Sequence, residues 1–303
     1  MQVVDFHSHF FSRTYFETLA AQSPQAGSVE EKLQALAKKT GMELPPANVA
    51  THLARWIAEL DRYKVEHLCT FASVPEEVPV VVEAAASSKG RVSAFALVNP
   101  RVEGVAAKVR ALLVEKKIRG VLLFPALHRF QVDAPEAEPL FAVLNEQRAI
   151  AYVHCGLFVV KVRDLLGLPR TQDLRCADPL HVIPAANAHP DVRFVIPHFG
   201  AGFFRETLFA GAQCPNVFVD TSSSNGWLAT QSPKPTLMQV FERALEVFGP
   251  SRVLFGTDST TFPAGWRRDR WEEQHKVLTE IGASAADQEL VFRGNARRLL
   301  GLA

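Results

Sequence analysis

An apolar run ending in two histidines, Val3-Val4-Asp5-Phe6-His7-Ser8-His9, opens this chain. Alternate side chains of a strand share a face, so His7 and His9 are expected to present two imidazoles to one spot. Two neutral imidazoles held that way are ligands for a borderline divalent metal such as zinc. A surface histidine pair would be spelled with the same letters, so the pair alone does not decide. Three later runs repeat the design: Ala149-Ile150-Ala151-Tyr152-Val153-His154-Cys155-Gly156, Arg193-Phe194-Val195-Ile196-Pro197-His198-Phe199-Gly200 and Val253-Leu254-Phe255-Gly256-Thr257-Asp258. Each is an apolar stretch, then one metal-competent side chain, then a glycine or small polar residue where a strand should end.

The elements that must position these side chains follow from the alternation of short β-branched and aromatic runs with longer helical patterns, which signals βα units and a parallel sheet. Candidate strands run from Gln2 to His9, Glu66 to Ala72, Val92 to Val98, Gly120 to Phe124, Ala149 to His154, Phe194 to His198, Val217 to Thr221 and Val253 to Gly256. Segments such as Gly104 to Lys117, Pro135 to Arg148 and Pro235 to Phe248 carry apolar residues at helical spacing. A last helix is expected to open at Ser284, with Asp287 in its first turn, and to close at Gly301.

Eight such units predict an α/β fold, the (β/α)8 TIM barrel, read as one domain over residues 1–303. Residues from approximately 10 to 50, after strand one, are too irregular for a barrel element and are read as an inserted helical lid or loop over the site. An open doubly wound sheet is the competing architecture. It would gather its site at one switch point, whereas these residues come from strands throughout the chain.

Composition narrows the function classes. The chain has 303 residues, 48% of them hydrophobic, enough for a large core. Lys and Arg number 33 against 32 Asp and Glu, a net charge of +1, which builds no field for nucleic acid or an anionic membrane. The opening residues carry no basic leader, and no apolar run approaches the roughly 20 residues of a membrane helix. Cys69, Cys155, Cys176 and Cys214 form no CxxC pair, as expected of reduced thiols in a cytoplasmic enzyme acting on small molecules.

At the C-terminal ends of barrel strands the four runs converge on one pocket. His7, His9, His154 and Asp258 then offer three nitrogens and a carboxylate to one metal, leaving a position open for water. A divalent ion can lower the pKa of bound water from about 15.7 to about 7, worth on the order of 12 kcal/mol in making hydroxide available at neutral pH. His198 stands nearby as a proton acceptor, a role typically worth ~10²- to 10⁴-fold.

With these residues placed, the chain resembles the amidohydrolase superfamily, and within it the amidohydrolase-related branch that includes aminocarboxymuconate-semialdehyde decarboxylase. The likeness covers essentially the whole chain. It rests on His7-x-His9, His154-Cys155-Gly156, His198-Phe199-Gly200, Gly256-Thr257-Asp258 and a terminal Asn295-Ala296-Arg297-Arg298-Leu299-Leu300-Gly301. The resemblance implies that His7, His9, His154 and Asp258 bind the metal and that His198 activates or holds the water. Binuclear members carry a strand-four lysine, modified to a bridging carbamate, where this chain has Gly120-Val121-Leu122-Leu123-Phe124-Pro125. Leucine cannot bridge, so one divalent ion is expected: zinc first, with manganese or another transition metal also compatible.

Substrate contacts are less marked. His128 and Arg129 follow strand four, where a guanidinium could grip a carboxylate or simply belong to an exposed basic loop. Phe10, Phe11, Phe124, Phe158, Trp227 and Phe262 lie just beyond strand ends and could wall a ring-accepting pocket or pack the loops. Asp220-Thr221-Ser222 is expected to add hydrogen bonds. His52, His189 and His275 read as surface or capping residues, and His67 as a residue of the barrel's stability face. Asp5 is expected to point inward below the ligands, and Cys155 to be a buried, inert thiol opposite His154.

The main expectation is a mononuclear metal-dependent hydrolase, activating a metal-bound water against a small cyclic amide, lactone or ester. His198 would move protons and Asp258 would help to orient the water. The alternative is a metal-dependent non-oxidative decarboxylase of a small aromatic or unsaturated acid. A non-catalytic metal- or ligand-binding barrel leaves the open position and His198 unexplained. The resemblance also makes a homodimer an expected assembly.

Overall fold

Eight parallel strands hydrogen-bond in sequence order in this computed structural model, which describes residues 1–222 and 225–302. They are β1 Val3–His9, β2 Val65–Phe71, β3 Val92–Val98, β4 Gly120–Leu123, β5 Ile150–Val153, β6 Arg193–Ile196, β7 Val217–Asp220 and β8 Val253–Leu254. Closure between the last strand and the first is made just past β8. Phe6 N donates to Phe255 O at 2.9 Å, Asp258 N to His7 O at 2.9 Å and His9 N to Ser259 O at 2.8 Å. With helices between successive strands this is the expected (β/α)8 TIM barrel.

Several strands stop earlier than expected. β6 ends at Ile196 because Pro197 has no N–H to donate to a neighbour. β5 ends at Val153, β4 at Leu123, before Phe124 and Pro125, and β8 at Leu254. His154, His198 and Asp258 therefore sit in the turns that follow their strands. His198 and Asp258 both adopt left-handed backbone, φ 55° and 56°, a conformation that costs a non-glycine residue about 1–3 kcal/mol. Backbone hydrogen bonds hold both: His198 N to Asp220 Oδ1 at 3.1 Å and Asp258 N to His7 O at 2.9 Å.

β1 departs from simple alternation. Its register against β2 shifts between Asp5 and Ser8, and the consecutive residues Phe6 and His7 both meet the Tyr152 ring, at 6.0 and 5.4 Å. Phe6, Phe71, Phe95 and Tyr152 pack edge-on, tilted or stacked and form an aromatic floor, with Phe71 and Tyr152 against the His7 ring. Asp5 is not part of the floor. It accepts hydrogen bonds from Thr257 N at 3.1 Å, Thr257 Oγ1 at 2.5 Å and Trp266 Nε1 at 2.8 Å, tying β1 to the segment that carries Asp258. Burial pushes the Asp5 carboxyl up to about 6, against these donors.

The segment after β1 is helical: α1 Arg13–Gln22 and α2 Val29–Thr40, followed by α3 Val49–Tyr63, which leads into β2. A Ser28/Glu31 capping box opens α2, and Gly41, at φ 71°, closes it. Tyr15, Phe16, Leu19, Leu33 and Leu36 form a small core with Val74, Leu166 and Leu168, separate from the main one. Segments after β1, β2 and β5 thus share a roof over the barrel mouth. The α3 helix instead buries Leu53, Trp56 and Leu60 in the main core.

The other histidines hold the scaffold. His67 hydrogen-bonds Gly90 O and Ser93 Oγ, each at 2.9 Å, at the start of β2, as its assignment to the stability face required. His52 and His189, expected at the surface or as caps, are both buried, and His189 does cap the C-terminus of the helix Val182–Ala188. His52 Nε2 donates to Phe10 O at 2.7 Å, and His189 lies 3.0 Å from the Glu138 carboxylate. His275 is half-buried beside Trp271 and Phe292. The terminal helix opens at Ser284 and closes at Gly301 as expected, but a π-helical stretch, Leu290–Gly294, interrupts it.

Candidate metal centre

β1 delivers His7 and His9 with their rings 5.4 Å apart, and hydrogen bonds at each Nδ1 decide which nitrogen is left over. His7 Nδ1 donates to Asp220 Oδ2 at 2.7 Å, and His9 Nδ1 bonds Ser73 Oγ at 2.9 Å. The remaining Nε2 atoms face the same carboxylate: Asp258 Oδ1 lies 3.7 Å from His7 Nε2 and 3.5 Å from His9 Nε2. Ligand bonds of about 2.1 Å in a tetrahedral array would set donors about 3.4 Å apart, so this spacing suits one zinc-sized ion. Burial drops the His9 pKa to about 3, leaving a neutral imidazole, the form a metal needs.

His154 stands beside this group, its ring 5.2 Å from that of His198 and packed against Phe124 and Phe158. Its Nδ1 is buried with no hydrogen-bond partner. Burial, reinforced by the neighbouring histidines, holds its pKa well below the usual imidazole range. A neutral, buried, orphaned ring nitrogen fits a metal donor better than it fits a structural hydrogen bond.

Asp220, at the end of β7, organises the group. It accepts from His7 Nδ1, from the Tyr152 hydroxyl, from His198 N at 3.1 Å, and from Ser222 N at 2.7 Å as well as its hydroxyl. Burial opposes its ionisation, but His7, His198 and Ser222 outweigh burial and hold it ionised. Burial also works against protonation of His7, and Asp220 and Asp258 outweigh it there. His7, His198 and Asp220 form a second close set of potential donors. Its carboxylate is already engaged by these donors and lies at hydrogen-bond distance from His7, so the His7, His9 and Asp258 set suits an ion better. Asp220 is expected from its position only to add hydrogen bonds, and Tyr152, in the middle of its apolar run, carries no local mark of a place in the site. Yet Val217-Phe218-Val219-Asp220 follows the same design as the other site runs: an apolar strand closing on one ionisable side chain.

His198 adjoins the centre, its ring 4.8 Å from that of His7. Its Nδ1 faces Ser222 Oγ at 2.8 Å and Ser222 O at 3.2 Å. Burial, with His7 adding to it, lowers its pKa and keeps a free base at neutral pH. Behind His9, Ser73 N donates to Glu77 Oε2 at 2.8 Å, and Glu77 Oε1 accepts from Ser12 N and Oγ, at 2.6 and 2.8 Å. Buried Glu77, its pKa raised by burial to about 7, thus links the ends of β1 and β2.

A cavity of about 1000 Å³ opens over these groups. Of the expected substrate residues, Phe124, His128, Phe158 and Trp227 line it. Phe10 and Arg129 are placed elsewhere. The chain turns at Phe11, φ 27°, so Phe10 packs on His52 at 4.4 Å while Phe11 takes the wall position, 4.9 Å from the His9 ring. Arg129 ends the short helix Pro125–His128 in left-handed conformation, and its Nε donates to Thr171 O at 2.8 Å. Phe262 packs on Trp56 beneath the Arg55 guanidinium. The cations on the wall are Lys161 and Arg163, from the segment after β5, which carries no motif. All four cysteines are free, and Cys155 is a buried thiol pushed upward in pKa by burial. No helix among the described residues is long and apolar enough to cross a membrane.

The chain belongs to the amidohydrolase family, whose model, described as Amidohydrolase, matches residues 4–302. It is accordingly a metal-dependent enzyme of that superfamily, a hydrolase or a decarboxylase. No curated protein sequence matches it. Among solved structures it is similar to 2,6-dihydroxybenzoate decarboxylase complexed with 2,6-dihydroxybenzoate, with 17% identity, TM-score 0.66 and coverage of 100% of this chain and 99% of that one. It is similar to a probable 2-pyrone-4,6-dicarboxylic acid hydrolase from Acinetobacter baumannii, with 15% identity, TM-score 0.63 and 100% of both chains covered. A dihydroxybenzoic acid decarboxylase from a Polaromonas species, with bound manganese and an inhibitor, gives 14% identity, TM-score 0.63, and coverage of 99% and 97%. At these identities the likeness establishes the fold.

Proposed function

We propose that the chain is a mononuclear hydrolase of a small cyclic amide, lactone or ester, with one divalent ion held by His7, His9, His154 and Asp258. The observation that carries this reading is the neutral imidazole of His198 beside a three-donor group spaced for one ion. When bound, the ion supplies Lewis acidity and a water of lowered pKa. His198, its Nδ1 held by Ser222, would accept a proton from the attacking water on its other nitrogen and return it to the leaving group. Asp258 would help to orient the attacking water. Asp220 fixes the His7 tautomer and, through the His198 backbone, the place of the base. The helices after β1, over residues 10–50 or so, act as a lid that limits water in the cavity.

Zinc suits the three-nitrogen, one-oxygen donor set, which also admits manganese, the ion carried by one structurally similar decarboxylase. Cysteines without bridges support a cytoplasmic setting. Decarboxylation of a small aromatic acid is the second reading, favoured by the Phe11, Phe124, Phe158 and Trp227 wall and by a cation on that wall. A panel of lactones, cyclic amides and aromatic acids assayed in ¹⁸O-water separates the two. Product labelled from water supports hydrolysis, and carbon dioxide released without label in the organic product overturns it in favour of decarboxylation.

A further inference from the structure

Among the described residues, nine buried side-chain polar atoms lack a hydrogen-bond partner, and five of them line this one cavity: His128 Nδ1, His154 Nδ1, Arg163 Nε, Asn225 Oδ1 and Trp227 Nε1. Buried polar groups are ordinarily bonded, so orphans concentrated on one wall point to a polar ligand. Metal binding accounts for His154. Burial lowers the His128 pKa to about 4, so its ring is neutral. Arg163 is then the one fixed charge in the orphaned set.

Among the described residues, no side chain hydrogen-bonds its guanidinium. The adjacent carboxylate of Asp164 is taken by Arg170 through two bonds, at 2.9 and 2.7 Å. Among the described residues no acid lies within ion-pair distance of Arg163. Its backbone is nevertheless pinned: Arg163 N donates to Val160 O at 3.0 Å, and Leu168 N donates to Arg163 O at 2.9 Å. The lid braces the same turn, with Ser23 Oγ donating to Leu166 O at 2.6 Å and Gln25 Nε2 to Leu165 O at 2.9 Å. Arg163 also lies close enough to Tyr15, in α1, to oppose the rise that burial causes in that phenol's pKa. A fixed backbone under an unpaired, planar, weakly hydrated cation is a receptor for a planar oxyanion.

We propose that Arg163 is a specificity-determining residue that anchors a carboxylate borne by the substrate, separate from the group presented to the metal. The proposal deepens the reading of this cavity as the active site and rests on it. The planar fork of Arg163, set among Phe158, Val160 and Val162, matches the two oxygens of a carboxylate. Trp227 Nε1–H is a second donor for the same ligand, and the aromatic wall accepts the ring or unsaturated body between the two ends.

Calorimetric titration of the zinc-loaded protein with benzoate and with the three benzenedicarboxylates tests this. At least one dicarboxylate should bind the wild type about 10-fold or more tighter than benzoate. Arg163→Gln should abolish that preference while leaving benzoate affinity within about threefold, and Arg163→Lys, which keeps the charge without the fork, should retain part of it. In chelator-treated protein benzoate itself should bind in an Arg163-dependent way, because the anchor needs no metal. Equal preference in wild type and Arg163→Gln, or no preferred dicarboxylate in the wild type, overturns the proposal. A wild type that takes up no zinc yet binds benzoate in an Arg163-dependent way contradicts the metal reading and leaves this one standing.

Discussion

Asp220 accepts a hydrogen bond from His7 Nδ1 at 2.7 Å and so turns His7 Nε2 toward Asp258, 3.7 Å away on the far side of the ring. One buried carboxylate from β7 thereby sets the tautomer of a β1 histidine, while its other oxygen receives the backbone N–H of His198. The candidate ligand and the candidate base are positioned by the same side chain.

Asp220→Asn removes the charge that holds His7 in that tautomer. Zinc affinity should fall about 10- to 100-fold, measured by competition with a chromophoric chelator. Unchanged affinity would show that His7 is oriented by Ser222 Oγ, 3.0 Å from the same nitrogen.

His198→Ala removes the proton acceptor but none of the four expected ligands. The variant should keep its metal by elemental analysis and lose ~10²- to 10⁴-fold in kcat. Loss of the metal instead would place His198 among the ligands.

Gly256 leaves no room for a side chain behind the centre: a Cβ there would lie 2.6 Å from His7 Cβ and 3.0 Å from Ser222 Cβ. Gly256→Ala should displace His7, weaken zinc binding and lower stability by about 1–3 kcal/mol. A variant with wild-type zinc affinity and Tm would mean that β1 and β7 yield more easily than their packing implies.

His67 carries a pH dependence of stability. Burial lowers its pKa from 6.5 to about 4, so the unfolded chain binds the proton first as the medium acidifies. Its contribution is in full force above pH 6.5 and is lost as pH falls toward about 4, a change on the order of 2–3 kcal/mol. Buried Glu77, raised to about 7, works oppositely over part of the same window, so the comparison must be between single variants. Urea unfolding of wild type and His67→Gln at pH 7 and pH 4.5 isolates the term: the variant should lose less stability on acidification. Parallel losses would remove His67 as the cause.

The barrel and the main site side chains were legible because each follows an apolar run, and strand ends gather at one mouth of a parallel barrel. What escaped depends on turns. Of Phe10 and Phe11, both expected on the wall, only Phe11 reaches it, because the backbone turns left-handed at Phe11. Arg129 caps a four-residue helix that no periodicity announces. Arg163 lies in a loop whose course is set by packing against α1 and α2, a contact between distant segments with no local signature. The register shift in β1 was equally hidden, since Asp5, His7 and His9 keep perfect two-residue spacing in the sequence while Asp5 turns away from the floor.

The most direct test of the central claim is anomalous diffraction at the zinc edge from crystals of zinc-loaded protein. The account predicts one ion, bonded to His7, His9, His154 and Asp258, with His198 and Asp220 outside its coordination sphere. Two ions, or one ion seated among His7, His198 and Asp220, would contradict it.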